Sequence, residues 1–331
     1  MKKTVSIVLA ALLICSVLSA CGISSNSPTP SKVGNLTAED SSGAKQNSKA
    51  ETTKAPETTQ APLKDIYQVG DVIQLKDHKI VYTASGEYVS SNVFSQPGDG
   101  NKYIYLEFYV ENTGSSSVTV SYFDFDAYAD GYAADQKYSF DDALSGSISP
   151  GRWNMGRVYF EVPENASDIE VEYEYEMFSS KKLKFAYEGE KDSGFVPEAK
   201  TTPTEGSFKP GDIIETSKFR ITYLGCDTFE SDNRFIQPDE GNIFIYLEFE
   251  FENISDSDRS VNSLYFSCYA DGKICSSTSM RDDDLHASLS PGRKAKGTVA
   301  FQVPADASVV EVEFEDTLIL SNSVVIFSFE K

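Results

Sequence analysis

Histidine is nearly absent from this 331-residue chain: there are two, His78 and His286. Proton transfer near neutral pH and zinc binding both lean on imidazole. Two histidines at unrelated points supply neither a Ser/His/Asp arrangement nor zinc-protease spacing, so both read as surface or edge residues. Tryptophan occurs once, as Trp153, and cysteine five times. Lysine and arginine are few, 29 against 51 aspartates and glutamates, for a formal charge of −22. A surface of that sign repels phosphate backbones and excludes nucleic acid as a partner. The acidity sits in two stretches. Residues 65–190 carry 9 basic against 22 acidic residues (9 − 22 = −13), and residues 206–331 carry 11 against 22 (11 − 22 = −11). A long helix is missing as well, since nothing beyond the first twenty residues reads as one.

What is present begins with an address. Lys2 and Lys3 precede the apolar run Val5–Leu18, which is too short for a typical membrane span and is followed by Leu18-Ser19-Ala20-Cys21. This end resembles the lipobox of bacterial lipoproteins. The resemblance implies a signal peptide over 1–20, cleavage behind Ala20 and acylation of Cys21. The mature chain is then expected on the extracytoplasmic face of the cell membrane, anchored without spanning it. Residues 21–64 are rich in Ser, Thr, Pro, Ala and Lys and read as a disordered spacer, of a composition that resembles Gram-positive lipoproteins.

The remainder contains one pattern twice. Gln96-Pro97-Gly98-Asp99-Gly100-Asn101 leads into Lys102–Asn112, and 141 residues later Gln237-Pro238-Asp239-Glu240-Gly241-Asn242 leads into Ile243–Asn253. Ile104, Leu106, Phe108 and Val110 fall on one face of a strand; Tyr103, Tyr105, Glu107, Tyr109 and Glu111 fall on the other. The same offset carries Asp130-Gly131 onto Asp271-Gly272 and Ser149-Pro150-Gly151-Arg152 onto Ser290-Pro291-Gly292-Arg293. Asp-Gly suits a tight hairpin and Pro-Gly a type II turn. Seven or eight short strands per copy predict an all-β chain of two antiparallel sandwiches, 65–190 and 208–331, joined by a short flexible linker over 191–207.

These elements resemble a family of immunoglobulin-like domains of unknown function found in bacterial lipoproteins, related in fold to a mycobacterial secreted immunogenic antigen. They are Gly100, the strand 103–110 with Asn112, Asp130-Gly131, Pro150-Gly151 and Phe160-Glu161-Val162-Pro163, with their second copies. The resemblance implies an extracellular sandwich that binds. It implies no catalytic residue.

Several residues remain as candidates for chemistry. Asp141 and Asp142, with Asp282, Asp283 and Asp284 in the second copy, are acidic loop residues of the kind that coordinates calcium, or else solvated charge. Tyr103, Tyr105, Tyr109 and Trp153 are aromatics that a partner protein or glycan could use if exposed. Glu170, Glu172, Glu174 and Glu176 make an acidic strand face, with Lys181, Lys182 and Lys184 placed to neutralise it across a hairpin. The second copy keeps Glu311, Glu313 and Glu315 without those lysines, so its face is expected to stay more negative. Cys268 and Cys275 flank Asp271-Gly272 and are the first disulfide candidates, with Cys226 as an alternative partner for either. The leading expectation is a non-enzymatic, lipid-anchored protein presenting two binding or adhesion domains to an unidentified protein or glycan. A calcium- or solute-binding envelope module comes second, and a hydrolase of envelope polymers last.

Overall fold

The computed structural model describes residues 31–35, 66–138, 140, 142–175, 181–278, 283–315 and 324–330. Each copy is a sandwich of two antiparallel sheets. In the first, one sheet runs Asp71–Gln74, His78–Tyr88, Asn101–Asn112, Trp153–Pro163, with Asp135–Lys137 on its edge. The other runs Lys182–Ala186, Ile169–Glu174, Phe125–Ala129, Tyr132–Ala133. The second copy repeats this, with Phe219–Phe229, Asn242–Asn253 and Lys294–Pro304 at the centre of one sheet and Val324–Ser328, Val310–Glu315 and Phe266–Ala270 in the other.

The repeated strand is central in each copy, paired on both sides over its length. Its apolar residues meet the inner face of the opposite sheet. Phe108 lies between Tyr82 (5.2 Å), Phe125 (5.1 Å) and Phe185 (4.8 Å), and Phe249 sits the same way among Tyr223, Phe266 and Phe327. Burying such rings is the main favourable term in each core. A bulge at Tyr82/Ala84 recurs at Tyr223/Gly225. The offset of 141 holds until the last strand, where Tyr82 Oη donates to Ala186 O and Tyr223 Oη to Ser328 O, an offset of 142.

The turns take the conformations their residues favour. Asp130 and Asp271 have φ of 49° and 50°, each followed by a glycine of positive φ. Each Asp carboxylate also accepts the backbone N–H groups of the facing loop, Ser167 and Asp168 or Ser308 and Val309. Asn112 and Asn253, wholly buried at the end of the central strand, each donate to two carbonyls, Ser116 O and Ile148 O or Ser257 O and Leu289 O.

Two expectations about the connecting segments are corrected. Ser31–Asn35, inside the stretch read as structureless spacer, adds antiparallel to the edge strand Asp71–Gln74. Edge pairing uses backbone N–H and C=O groups and needs few apolar side chains, so composition does not reveal it. The linker is not free either. Lys191 and Asp192 pair with Ser85 and Ala84, Phe195 packs on Tyr109 at 4.9 Å, and Lys200 N–H donates to Asp271 O.

Candidate functional site

The strongest concentration of buried charge lies where the two sandwiches meet. The Pro150-Gly151 turn of the first copy delivers Arg152 to the strand Val310–Glu315 of the second. Arg152 is 3% exposed, Glu311 0% and Glu313 4%. Arg152 Nη1 donates to Glu311 Oε2 at 2.7 Å, and its Nε and Nη2 reach Glu313 Oε1 at 2.8 and 2.6 Å. The linker completes the cluster. Lys200 Nζ donates to Glu311 Oε2 at 2.9 Å and Thr204 N–H to Glu311 Oε1 at 2.6 Å. Two cations therefore face two carboxylates, and among the described residues only Glu313 Oε2 of these oxygens lacks a hydrogen-bond partner. Burial pushes the Glu311 carboxyl up, but the bonds from Thr204, Lys200 and Arg152 outweigh it and hold the pKa down at about 2. Burial likewise opposes the Arg152 charge, and Glu313 and Glu311 more than offset it.

Tyr269 packs beneath the guanidinium, 4.9 Å from its carbon, and its hydroxyl accepts Ser149 N–H at 3.0 Å. Burial, with the Glu313 charge nearby, pushes that hydroxyl up to about 12. Beside it Trp153 N–H donates to Gly272 O at 3.1 Å, which joins the sheets of the two copies by one parallel bridge, Trp153↔Lys273. A Cβ on Gly272 would stand 3.0 Å from Trp153 Nε1, so the glycine that shapes the hairpin also admits the indole. Next to this contact is an acidic cleft of about 670 Å³, whose lining includes Trp153, Asp142, Asp239, Asp306 and Cys275.

The expectation that the acidic face of the second copy stays more negative than that of the first is corrected at Glu311 and Glu313, because their counter-charges come from the first copy and the linker. In the first copy Lys184 pairs with Glu170 at 2.6 Å and Lys182 with Glu172 at 2.9 Å, as the hairpin reading requires. The second copy lacks these lysines, and Arg152 and Lys200 stand in their place. In the sequence Arg152 is visible only as part of a repeated turn. The signal that could have found it is the pair of glutamates retained without their lysines.

The aromatic candidates are less available than alternation suggests. Tyr103 is 6% exposed and Tyr109 4%, not solvent-facing. Tyr109 is covered by Trp153 (5.4 Å) and by Phe195 of the linker, and Tyr103 lies against Phe140 (6.0 Å). Tyr105, half-buried, lies under the Arg157 guanidinium at 4.1 Å. The polar face of the central strand is thus roofed by neighbours too distant in sequence for alternation to reveal. His78 is also buried, with Nδ1 2.7 Å from Asp77 Oδ1 and Nε2 3.3 Å from Tyr173 Oη, whereas His286 is exposed as expected.

Among the acidic candidates, Asp142 is engaged by Tyr159 Oη and Arg157, and Asp283 by Thr298 Oγ1 at 3.1 Å. Asp284 bridges to Thr298 through its backbone. Asp141 and Asp282 lie outside the described residues, as does Cys21. Among the described residues no three His, Cys, Asp or Glu side chains gather as a metal site. Cys268 and Cys275 face each other directly across the hairpin as free thiols, Cys268 buried and Cys275 half-buried. Their mutual hydrogen bond holds the Cys275 thiol down, and burial pushes Cys268 up. Cys226 is also free, on a different strand. No helix among the described residues is long and apolar enough to cross a membrane.

Comparison with known families finds a match to a domain of unknown function, DUF4352, over residues 67–184 and again over 208–325. The chain belongs to the DUF4352 family. Its two DUF4352 domains coincide with the two sandwiches, and the charge cluster joins one to the other. No curated protein matches the chain. Solved structures that resemble it include a "putative lipoprotein (ycdA)" from Bacillus subtilis, 18% identical over 33% of this chain and 36% of its own, TM-score 0.29. This chain thus spans about a third of that protein's length. Others are an uncharacterized β-sandwich protein from Clostridium difficile 630 (13% identity, 39% of this chain, 98% of its own, TM-score 0.27) and the secreted protein MPT63 of Mycobacterium tuberculosis (16%, 35%, 82%, 0.26).

Proposed function

We propose that this chain is a non-catalytic lipoprotein of the cell envelope, anchored through Cys21, whose two joined DUF4352 sandwiches present a binding surface to a protein or glycan. The observation that carries the reading is Leu18-Ser19-Ala20-Cys21 set directly behind a charged and then apolar N-terminus. The fate of the buried ionisable groups supports its non-catalytic part. Glu311, Glu313 and Arg152 neutralise one another at a domain junction, a structural use of charge. The acidic loops give the calcium reading less support, since Asp142 and Asp283 already have protein partners. The test is metabolic labelling with a fatty-acid analogue in a lipidating bacterial host, followed by cross-linking on intact cells. Label that depends on Cys21 and one recurrent cross-linked partner are expected. A chain that stays unlabelled, or label that survives Cys21→Ser, would overturn the anchor. Turnover of an envelope polymer by the purified chain would overturn the non-catalytic reading.

A further inference from the structure

The loop between His78–Tyr88 and Asn101–Asn112 is built twice to one plan. In the first copy Asn92 N–H donates to Ser90 Oγ (3.1 Å), Phe94 N–H to Asn92 Oδ1 (3.0 Å) and Ser95 N–H to Asn92 O (3.0 Å). Gln96 Nε2 closes the loop onto Ser90 O and Asn92 O (3.0 and 2.8 Å). In the second copy Ser231, Asn233, Phe235, Ile236 and Gln237 make the same five bonds within 0.1 Å. The product is a stiff tip that holds a phenylalanine in solvent, Phe94 at 95% exposure and Phe235 at 80%.

The two tips differ in what surrounds the ring. From Tyr88 to Gly98 the first has no charged residue in eleven positions, within a domain of net charge −13, and it adds Val89 (86% exposed) and Val93 (75%). In the second, Glu230, Asp232 and Arg234 replace Val89, Ser91 and Val93, Asp239 replaces Gly98, and the Arg234 guanidinium lies 4.5 Å from the Phe235 ring. A single exposed apolar side chain needs no explanation. Three on one stiff, uncharged loop, beside a twin of the same backbone that is charged, form a patch with a use. The self-bonding matters too, because a loop can leave water cheaply only if its backbone groups are already satisfied.

We propose that the Phe94 loop inserts shallowly into the interface of the bilayer that holds the anchor, while the Phe235 loop stays in water. This rests on the anchoring reading above. Nine residues, 22–30, separate Cys21 from the strand Ser31–Asn35, a reach of at most ~35 Å. Ser31 pairs at Gln74, at the end of that sheet away from the loop. The first domain must therefore lean over the membrane for the tip to touch it. The short tether raises the local lipid concentration, so weak insertion suffices.

The test holds the chain from residue 22, with an N-terminal hexahistidine segment, on phosphatidylcholine vesicles containing a nickel-chelating lipid. The artificial tether makes the result independent of Cys21 acylation, so failure of the anchor and failure of insertion are read separately. Phe94→Trp and Phe235→Trp are compared after subtracting the Trp153 signal of the parent chain. Insertion predicts a blue-shifted emission from the indole placed at position 94, quenched by brominated lipid, and neither effect at position 235. Without the tether, Phe94→Asp should lower partitioning onto the same vesicles by about tenfold. Added anionic lipid should weaken insertion at low salt, through the acidic domain. Unshifted, unquenched emission at position 94 overturns the proposal and leaves an apolar pocket on a protein as the loop's occupant. Equal responses at 94 and 235 overturn it as well.

Discussion

Arg152→Ala is the sharpest perturbation of the domain junction. It removes the three donated contacts to Glu311 and Glu313. Glu311 keeps Lys200 and Thr204. Glu313 fares worse: Oε1 loses its Arg152 contacts and Oε2 has no partner among the described residues. Orphaning a buried carboxylate costs about 3–5 kcal/mol. The chain has a cheaper way out, because Glu313 regains water if the sandwiches part. The cost is therefore capped at the free energy of docking, and the variant should come apart before either domain unfolds. Trp153, the sole tryptophan, sits at the junction and reports this directly. Arg152→Ala is expected to red-shift Trp153 emission without denaturant, to enlarge the radius of gyration in small-angle scattering, and to split urea unfolding into two transitions. A cycle with Glu313→Gln should show coupling of about 2 kcal/mol or more, since the second change relieves the orphaned charge. Emission, scattering and unfolding all matching the parent chain would refute the idea that the cluster holds the domains together.

Other outcomes follow from the same geometry. The Glu311 pKa is lowered from its ordinary value of 4.5 to about 2, so its stabilisation is complete above about pH 4.5 and is lost as pH falls toward 2. That is on the order of 3 kcal/mol, and Trp153 emission should titrate over that window in the parent but not in Glu311→Gln. A Cβ on Gly297 would meet the Leu285 backbone at 2.7 Å, whereas Gly225 has nothing within 4 Å. Gly297→Ala should cost about 1–3 kcal/mol in urea unfolding, and Gly225→Ala should cost far less. Oxidation of the chain should link Cys268 to Cys275 in a peptide map and leave Cys226 free. The closed loop is short, so the gain in stability is about 2 kcal/mol, and a map that links Cys226 instead would sink the pairing.

Much of the architecture was legible because it rests on local pattern. Alternation at Ile104, Leu106, Phe108 and Val110 marks a buried strand whatever surrounds it, and Asp-Gly and Pro-Gly fix turns through their own backbones. The outward face was not legible, because its environment is supplied from afar. Tyr109 looks solvent-facing until Phe195 and Trp153 close over it, and Glu311 looks like surface charge until Arg152, 159 residues earlier, reaches it. The junction left one trace, two glutamates without the lysines that pair their counterparts in the first copy. The tip at Phe94 left another, an uncharged interval in an acidic domain, which gains meaning only beside its charged twin.

The contact between the sandwiches joins unlike ends, the Pro150 turn of one copy to the acidic strand of the next. A contact of that kind can in principle propagate into a filament. In this chain the acidic strands of both copies are already neutralised. The first copy's acidic strand is occupied by Lys182 and Lys184, which take the places that Arg152 and Lys200 hold on the second. Arg293, the counterpart of Arg152, is exposed. The same two strand positions are thus neutralised from within the copy in one domain and from outside it in the other, so a seat closed by a hairpin in the first becomes a dock for its neighbour in the second.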